Sequence, residues 1–231
     1  MIDRWIVQSS SYAADIDGII WLIAVLVGFW FFVAEGVFFW PIFKFRARDG
    51  RRAQYITGEE TKQKRFIAWP HYLVLVCDVF IVVGAVRVWV EVKQQLPSDA
   101  EAQHVRVVAQ QWAWSFVHPG ADGKLDTDDD IRTVDELHVQ VDQKYIYELE
   151  SRDVLHDFSI PVFRLKQDAV PGRVIYGWFQ PTRTGTHDIQ CAEICGVGHG
   201  MMAARIVIET PEQHAAWIAS RSETQLAATQ R

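Results

Sequence analysis

Cysteine is scarce in this chain: three residues in 231, at positions 77, 191 and 195. Cys77 lies inside an apolar run and reads as a plain buried thiol, which leaves Cys191 and Cys195 for chemistry. No C-x-x-C-H occurs, so a covalently attached haem is not expected in these residues. No internal repeat occurs either. The opening residues, MIDRWIVQSSSYAADIDG, lack an apolar core, a small-residue cleavage site and a cysteine for lipidation, so no removable signal peptide is expected. The most informative shortage is of charge. Residues 19–43 carry Glu35 alone, and residues 67–90 carry only Asp78 and Arg87. Each stretch reaches the roughly 20 apolar residues that take a helix across a bilayer. Trp21, Trp40, Trp69 and Trp89 lie towards their ends, where interfacial aromatics belong. A soluble chain of this length has nothing large enough to surround two such helices, so a transmembrane hairpin is expected.

Between the two runs, residues 43–66 hold eight Lys or Arg against three acids. Basic residues in short loops stay cytoplasmic, which places the N-terminus and everything after Val90 outside, with the first helix as an uncleaved export signal. The expected organisation is residues 1–92 for the N-terminal segment and hairpin, and 93–231 for an exported domain. That domain reads as β structure. Residues 104–117, 136–151, 172–181 and 203–210 are rich in β-branched and aromatic residues with partial alternation, and turn-forming stretches such as QDAVPG and TRTGTHD separate them. A small all-β sandwich or barrel follows. Thr210, Pro211 and Gln213 spell the start of a C-terminal helix with a capping box.

The chemistry sits in CAEICGVGHGMM, residues 191–202, where Cys191, Cys195, His199 and Met202 follow at intervals of four, four and three. A Cys191–Cys195 disulfide would leave His199 and Met202 unexplained. Zinc would leave Met202 unexplained, because a thioether is a poor ligand for it. Thiolate, imidazole and a weak thioether together describe an electron-transfer copper site of the kind β-sandwiches carry. Two thiolates on one loop can bridge two copper ions, each needing a terminal imidazole. The loop supplies His199, and RDVLHDFSIP offers His156 as the second. The other histidines read as helix, surface or strand residues.

CAEICGVGHGMM resembles the C-x-E-x-C-G-x-x-H-x-x-M loop of cytochrome c oxidase subunit II, the CuA-containing subunit of haem-copper oxidases. DVLHDFSIPVFRLKQDAVPGR, residues 153–173, is similar to that family's other ligand segment, with His156 placed 35 positions before Cys191, and QQWAWSF, residues 110–116, resembles its tryptophan-rich strand. The resemblance implies a cupredoxin-like domain behind the hairpin, in a bacterial inner membrane. It implies a binuclear CuA centre bridged by Cys191 and Cys195, with His156 and His199 as terminal ligands and Met202 and the Glu193 carbonyl as weak axial ligands. The Glu193 side chain and Asp168 would share a magnesium ion with the catalytic subunit. Trp112 would receive electrons from cytochrome c, with Trp114 as a core aromatic packed beside it. Oxygen reduction and proton pumping would belong to other subunits of the enzyme. The partners implied are the catalytic subunit, further oxidase subunits, cytochrome c and the bilayer, with no nucleic acid.

Residues 95–231 hold 12 basic and 20 acidic side chains, a net charge of −8, which would steer a cationic donor. Seven of those acids crowd residues 122–136. Asp126, Asp128 and Asp130 have the spacing of a calcium loop without its glycine and distal glutamate, and read as a solvated hairpin tip rather than a calcium site. Where many relatives carry a glutamate for proton admission, this chain has Gln63. The alternative readings are the CuA subunit of a nitric oxide reductase and a membrane-tethered copper carrier or assembly protein.

Overall fold

Both charge-poor runs fold as helices, α1 (Ala13–Lys44) and α2 (Thr61–Trp89), in a computed structural model that describes residues 6–47, 50 and 57–229. Each starts six residues before its apolar run. Lys, Gln and Arg in the first turns of α2 are good helix formers, and the Gln63 side chain accepts the Gly58 N–H at 2.8 Å just ahead of the helix. That bond gives Gln63 a local role. Of the expected basic loop, residues 48, 49 and 51–56 lie outside the described residues. The two helices run antiparallel: Ile19 and Leu22 approach Gly84, and the Trp30 indole donates to the Cys77 sulfur at 3.4 Å. Both are long and apolar enough to cross a membrane. No residue of α2 is buried, and Phe32, Phe38, Phe66 and Val83 are all more than 60% exposed. Water would not tolerate so much contiguous apolar surface, whereas lipid would.

The chain divides into two units, Asp15–Trp89 and a second made of Val90–Arg231 with the N-terminal segment. After a π-helical turn at Val90–Gln94, the second unit is built from β1 (Ala102–Gln110), β2 (Ala113–His118), β3 (Ile131–Val134), β4 (Glu136–Gln140), β5 (Lys144–Ser151), β6 (His156–Ile160), β7 (Leu165–Ala169), β8 (Ile175–Phe179), β9 (Gly185–Cys191), β10 (Ala203–Glu209) and α3 (Pro211–Thr229). Two five-stranded sheets result, ordered β3-β2-β1-β5-β8 and β4-β10-β9-β6-β7, with β1–β5 and β4–β10 the parallel pairs. The sandwich is thus present, and its core follows the two-residue period of strands. Val105, Val107 and Ala109 of β1 meet Trp114 and Phe116 of β2, Tyr147 and Leu149 of β5, and Phe158 and Ile160 of β6, all at most 1% exposed. Phe158 is central, with ring centroids 5.4 Å from Trp114, 5.9 Å from Tyr147 and 6.4 Å from Phe116.

The structure adds four strands that composition did not reveal: β3, β6, β7 and β9. Residues 185–188 and 167–169, read as turns, are strand residues instead, because polar positions such as Asp188 and Asp168 are exposed while cross-strand hydrogen bonds hold the backbone. The segment before α1, grouped with the hairpin in the sequence, packs on the sandwich. The Ser9 N–H donates to Val162 O at 2.9 Å, the Ser10 hydroxyl to Phe163 O at 2.9 Å, and Tyr12 sits edge-on to Trp178 at 5.3 Å. At the other end, α3 opens with the expected capping box. The Thr210 N–H donates to Gln213 Oε1 at 3.0 Å, and the Gln213 N–H returns to Thr210 Oγ1 at 3.3 Å.

Candidate metal centre

Two neighbouring strands bring the soft donors together. His156 begins β6 and Cys191 ends β9, and the strands pair antiparallel with Phe158 opposite Cys191. The ten-residue excursion from Ala192 to Met201 then returns to β10, which pairs with the other edge of β9. Its base is closed by the Cys191 N–H donating to Met202 O at 3.1 Å, and its start is held by the Ala192 N–H on Asp157 O at 3.1 Å. A short 3-10 turn, His199–Met201, aims His199 and Met202 back at the cysteines.

The resulting contacts form one chain of donors. His156 Nδ1 lies 3.8 Å from Cys191 Sγ, which is 3.7 Å from Cys195 Sγ, which is 3.6 Å from His199 Nδ1. Met202 Sδ is 3.8 Å from Cys195 Sγ, and the Cys191 thiol lies 3.2 Å from the Glu193 carbonyl. Both cysteines are free thiols, well beyond the roughly 2.05 Å of a disulfide. Among the described residues, His156, Cys191 and Cys195 are the only group of three or more metal-ligating side chains whose donor atoms all lie within 4.8 Å of one another. Most of the donors are buried: His156 is fully buried, and Cys195 and Met202 are 3% and 2% exposed. Burial and the neighbouring Cys191 thiol push the Cys195 thiol up to about 11. Two adjacent thiolates therefore need a cation between them, and a soft N/S donor set that closes on itself fits a thiophilic metal.

The surroundings fix the donors. Asp153 Oδ1 accepts His156 Nε2–H at 2.8 Å, leaving Nδ1 turned to the sulfurs, and its other oxygen accepts the Gln111 N–H at 2.7 Å. The Gln111 side chain in turn donates to Cys195 O at 2.8 Å. Trp112, the next residue, is 42% exposed and lies flat against the loop. A Cβ at Gly198 would stand 2.5 Å from Trp112 Cδ2, and one at Gly196 would stand 2.9 Å from Gln111 Nε2. Only glycine fits under that indole. Trp114 is wholly buried, 6.3 Å from the His156 ring. Sequence reasoning did not single out Asp153, although a carboxylate three residues before a ligating histidine is the signal that could have found it.

Asp168 lies opposite Asp157 in the β6–β7 ladder, and the two carboxyl groups share a hydrogen bond. Asp157 is 2% exposed and one of its oxygens has no hydrogen-bond partner among the described residues. Burial, the Asp168 carboxyl and the nearby Glu193 charge push it up to about 6. Asp157 is a member of this acidic group that the sequence did not reveal. Lys93 stands near it, donating to Lys166 O at 3.2 Å and Gln167 Oε1 at 3.0 Å. In the acidic 122–130 stretch, Asp126 is held bidentately by Arg106 at 2.8 and 2.9 Å, and Thr127 donates to Asp129 at 2.7 Å. His118, His138 and His214, read as ordinary surface or strand residues, are buried together where α3, which carries His214, covers that end of the sandwich.

The family described as "Cytochrome C oxidase subunit II, periplasmic domain" matches residues 103–210. The "Alternative cytochrome c oxidase subunit 2" of Bradyrhizobium diazoefficiens is 34% identical over 77% of this chain and 69% of its own length. The "Cytochrome c oxidase subunit 2" of Thermostichus vulcanus is 39% identical over 54% of this chain, which spans only 34% of that relative. Among solved structures, the periplasmic domain of subunit II of the Bradyrhizobium japonicum cytochrome oxidase is 25% identical. It covers 56% of this chain and 99% of its own, with a TM-score of 0.49. The match to the Bradyrhizobium diazoefficiens protein over most of both lengths decides the matter, and the chain belongs to the cytochrome c oxidase subunit II family.

Proposed function

We propose that the sulfur-rich loop holds a binuclear copper centre, CuA, and that this chain receives the electrons used by a haem-copper terminal oxidase. The observation that carries this reading is the unbroken run of close approaches from His156 Nδ1 through Cys191 and Cys195 to His199 Nδ1, with the Glu193 carbonyl and Met202 thioether alongside. In this assignment Cys191, Cys195, His156, His199, Met202 and the Glu193 carbonyl would hold the copper. Copper bound there would supply one-electron uptake and release, and this chain would pass electrons from cytochrome c towards the catalytic subunit, where oxygen would be reduced to water with proton pumping.

The chain's own contribution is positioning. Asp153 orients the His156 ring and, through the Gln111 N–H, the turn that carries Trp112. Trp112 is the residue through which electrons arrive: it is exposed on one side and seated on Gly196 and Gly198 of the ligand loop on the other. Burial of Cys191, Cys195 and Met202 excludes water, so the ligand positions need little rearrangement between redox states. Asp168 and Glu193 supply hard oxygen donors for a magnesium ion at the catalytic-subunit interface, beside the Asp157 carboxyl. The sandwich faces the outside of a bacterial inner membrane, and the net −8 of residues 95–231 favours a cationic cytochrome donor.

Copper counting and electron paramagnetic resonance on the copper-loaded full chain test the reading. Two copper ions per chain sharing one unpaired electron, retained on reduction, are expected. A single copper, zinc, or a metal-free disulfide overturns it. Release of copper on reduction instead identifies a carrier.

A further inference from the structure

Three imidazoles gather where α3 lies on the sandwich, away from the sulfur-rich loop. His118 ends β2, His138 belongs to β4 and His214 to the first turn of α3. They are 4%, 7% and 6% exposed, and they line one cavity of about 30 Å³ together with Tyr145. Trp217, one helical turn beyond His214, touches all three rings. It stacks on His138 at 4.3 Å and near His214 at 5.6 Å, and meets His118 edge-on at 4.9 Å. This is a docking contact and not a preformed metal site, since the three rings are absent from the only group of ligating side chains that converges among the described residues.

The three histidines differ in what could receive a proton's charge. Glu209 at the end of β10 accepts from both neighbours, His138 Nδ1 at 3.0 Å and His214 Nδ1 at 2.9 Å. Glu136 of β4 stands a further 3.4 Å from His138 Nε2. Among the described residues, His118 is hydrogen-bonded to the Thr133 hydroxyl of β3 at 3.2 Å, and the titratable groups that act on it are His138 and His214 themselves. Tyr145 of β5 is pushed well above its ordinary range by burial and stays neutral throughout. A charge on His118 would therefore be buried, without a carboxylate partner, and beside two further imidazoles.

We propose that this cluster is an acid-sensitive latch on α3, in which protonation of His118 releases the helix from the sandwich and uncovers the edge strands β3 and β4. These two strands and β10 are what α3 packs against, and each of the first two ends its sheet with one unpaired edge. Burial and the two neighbouring imidazoles hold His118 down to about 3 in the docked state, whereas a free histidine titrates near ~6.5. Between those values the released state binds one more proton than the docked state. Docking is thus fully favoured above about pH 6.5 and weakens as pH falls, by at most about tenfold per pH unit for a single proton.

Hydrogen–deuterium exchange on the full-length chain in detergent, from pH 7.5 to 5.0, tests the latch. After correction for the intrinsic pH dependence of exchange, protection of residues 211–220, β3 and β4 is expected to fall towards pH 5.0 while β1 and β5 stay protected. His118→Gln keeps a polar partner for Thr133, and His118→Phe keeps the ring. Neither titrates, and both are expected to hold α3 at pH 5.0. Unchanged protection in the wild-type chain overturns the proposal, as does an equal acid response in either variant. A variant that loses β1 and β5 protection at pH 7.5 has misfolded, and the wild-type profile with the other variant then decides.

Discussion

Two clusters in the same sandwich contain histidines, and they have opposite characters. At the β6–β9 end, His156 and His199 turn Nδ1 towards sulfur, and the one carboxylate nearby, Asp153, takes the far nitrogen of His156 and so leaves the near one free for a ligand role. At the α3 end, Glu209 takes Nδ1 of both His138 and His214, and the rings spend their faces on Trp217. The residue type is shared; the disposition of its nitrogens is not. A buried imidazole becomes a metal ligand when the nitrogen its partners leave over is aimed at other soft donors, and becomes packing when that nitrogen is not.

The largest effect that would break this comparison comes from Cys195→Ser. Copper content should drop and the shared-electron signal should vanish, while His214→Gln leaves both unchanged. Loss of copper from the second variant would show that the clusters are coupled. Phe158→Ala, at the centre of the aromatic core between the two ends, should destabilise the sandwich by about 3–5 kcal/mol in chemical denaturation, which lowers copper retention only through unfolding. Asp153→Asn replaces the acceptor on His156 with an amide. Copper affinity or the rate of electron uptake should fall roughly 10- to 100-fold, read by copper competition and by oxidation of reduced cytochrome c. Acid should sharpen the contrast at the other end. The buried, neutral His118 contributes stability that is present above about pH 6.5 and is lost at up to about 1.4 kcal/mol per pH unit towards pH 3, and His118→Gln should flatten that part of the stability–pH curve. The smallest effect is Thr210→Ala, which removes the cap of α3 and should cost about 1 kcal/mol, seen as faster exchange in its first turn.

How much of this was legible in the sequence depended on the range of the contact. The loop Cys191–Met202 carries four soft donors within twelve residues, so its chemistry needed no fold to be noticed. His156 needed only the expectation of a second imidazole. The capping box at Thr210 is local and was readable for the same reason. By contrast, β9 was missed because GTHDIQC alternates weakly and begins with turn residues, and β6 and β7 because HDFSI and LKQDA are too polar to look like strands. Their place in the sheet comes from pairing with β10 and with each other, over separations that composition does not report. Asp157 and the His118–His138–His214 cluster were hidden likewise: each is defined by residues tens of positions apart, and nothing in a single window says that a histidine faces inward. The segment at Ser9–Tyr12 is polar enough to read as a tail, yet it bonds to Val162, Phe163 and Trp178.

The indole of Trp112 fills the space that side chains at positions 196 and 198 would need. Those three positions therefore form a single unit of heredity. An alanine arriving at 198 while the tryptophan remains would collide with its indole near the ring fusion, and a smaller residue arriving at 112 would leave a hollow over two bare glycines. In a population drifting under selection, either change alone should be rare, and the pair should travel together: a reduced ring at 112 with a methyl at 198. Such double exchanges, sought by saturating all three codons at once, would reveal whether surface aromatic and ligand loop have been free to diverge separately.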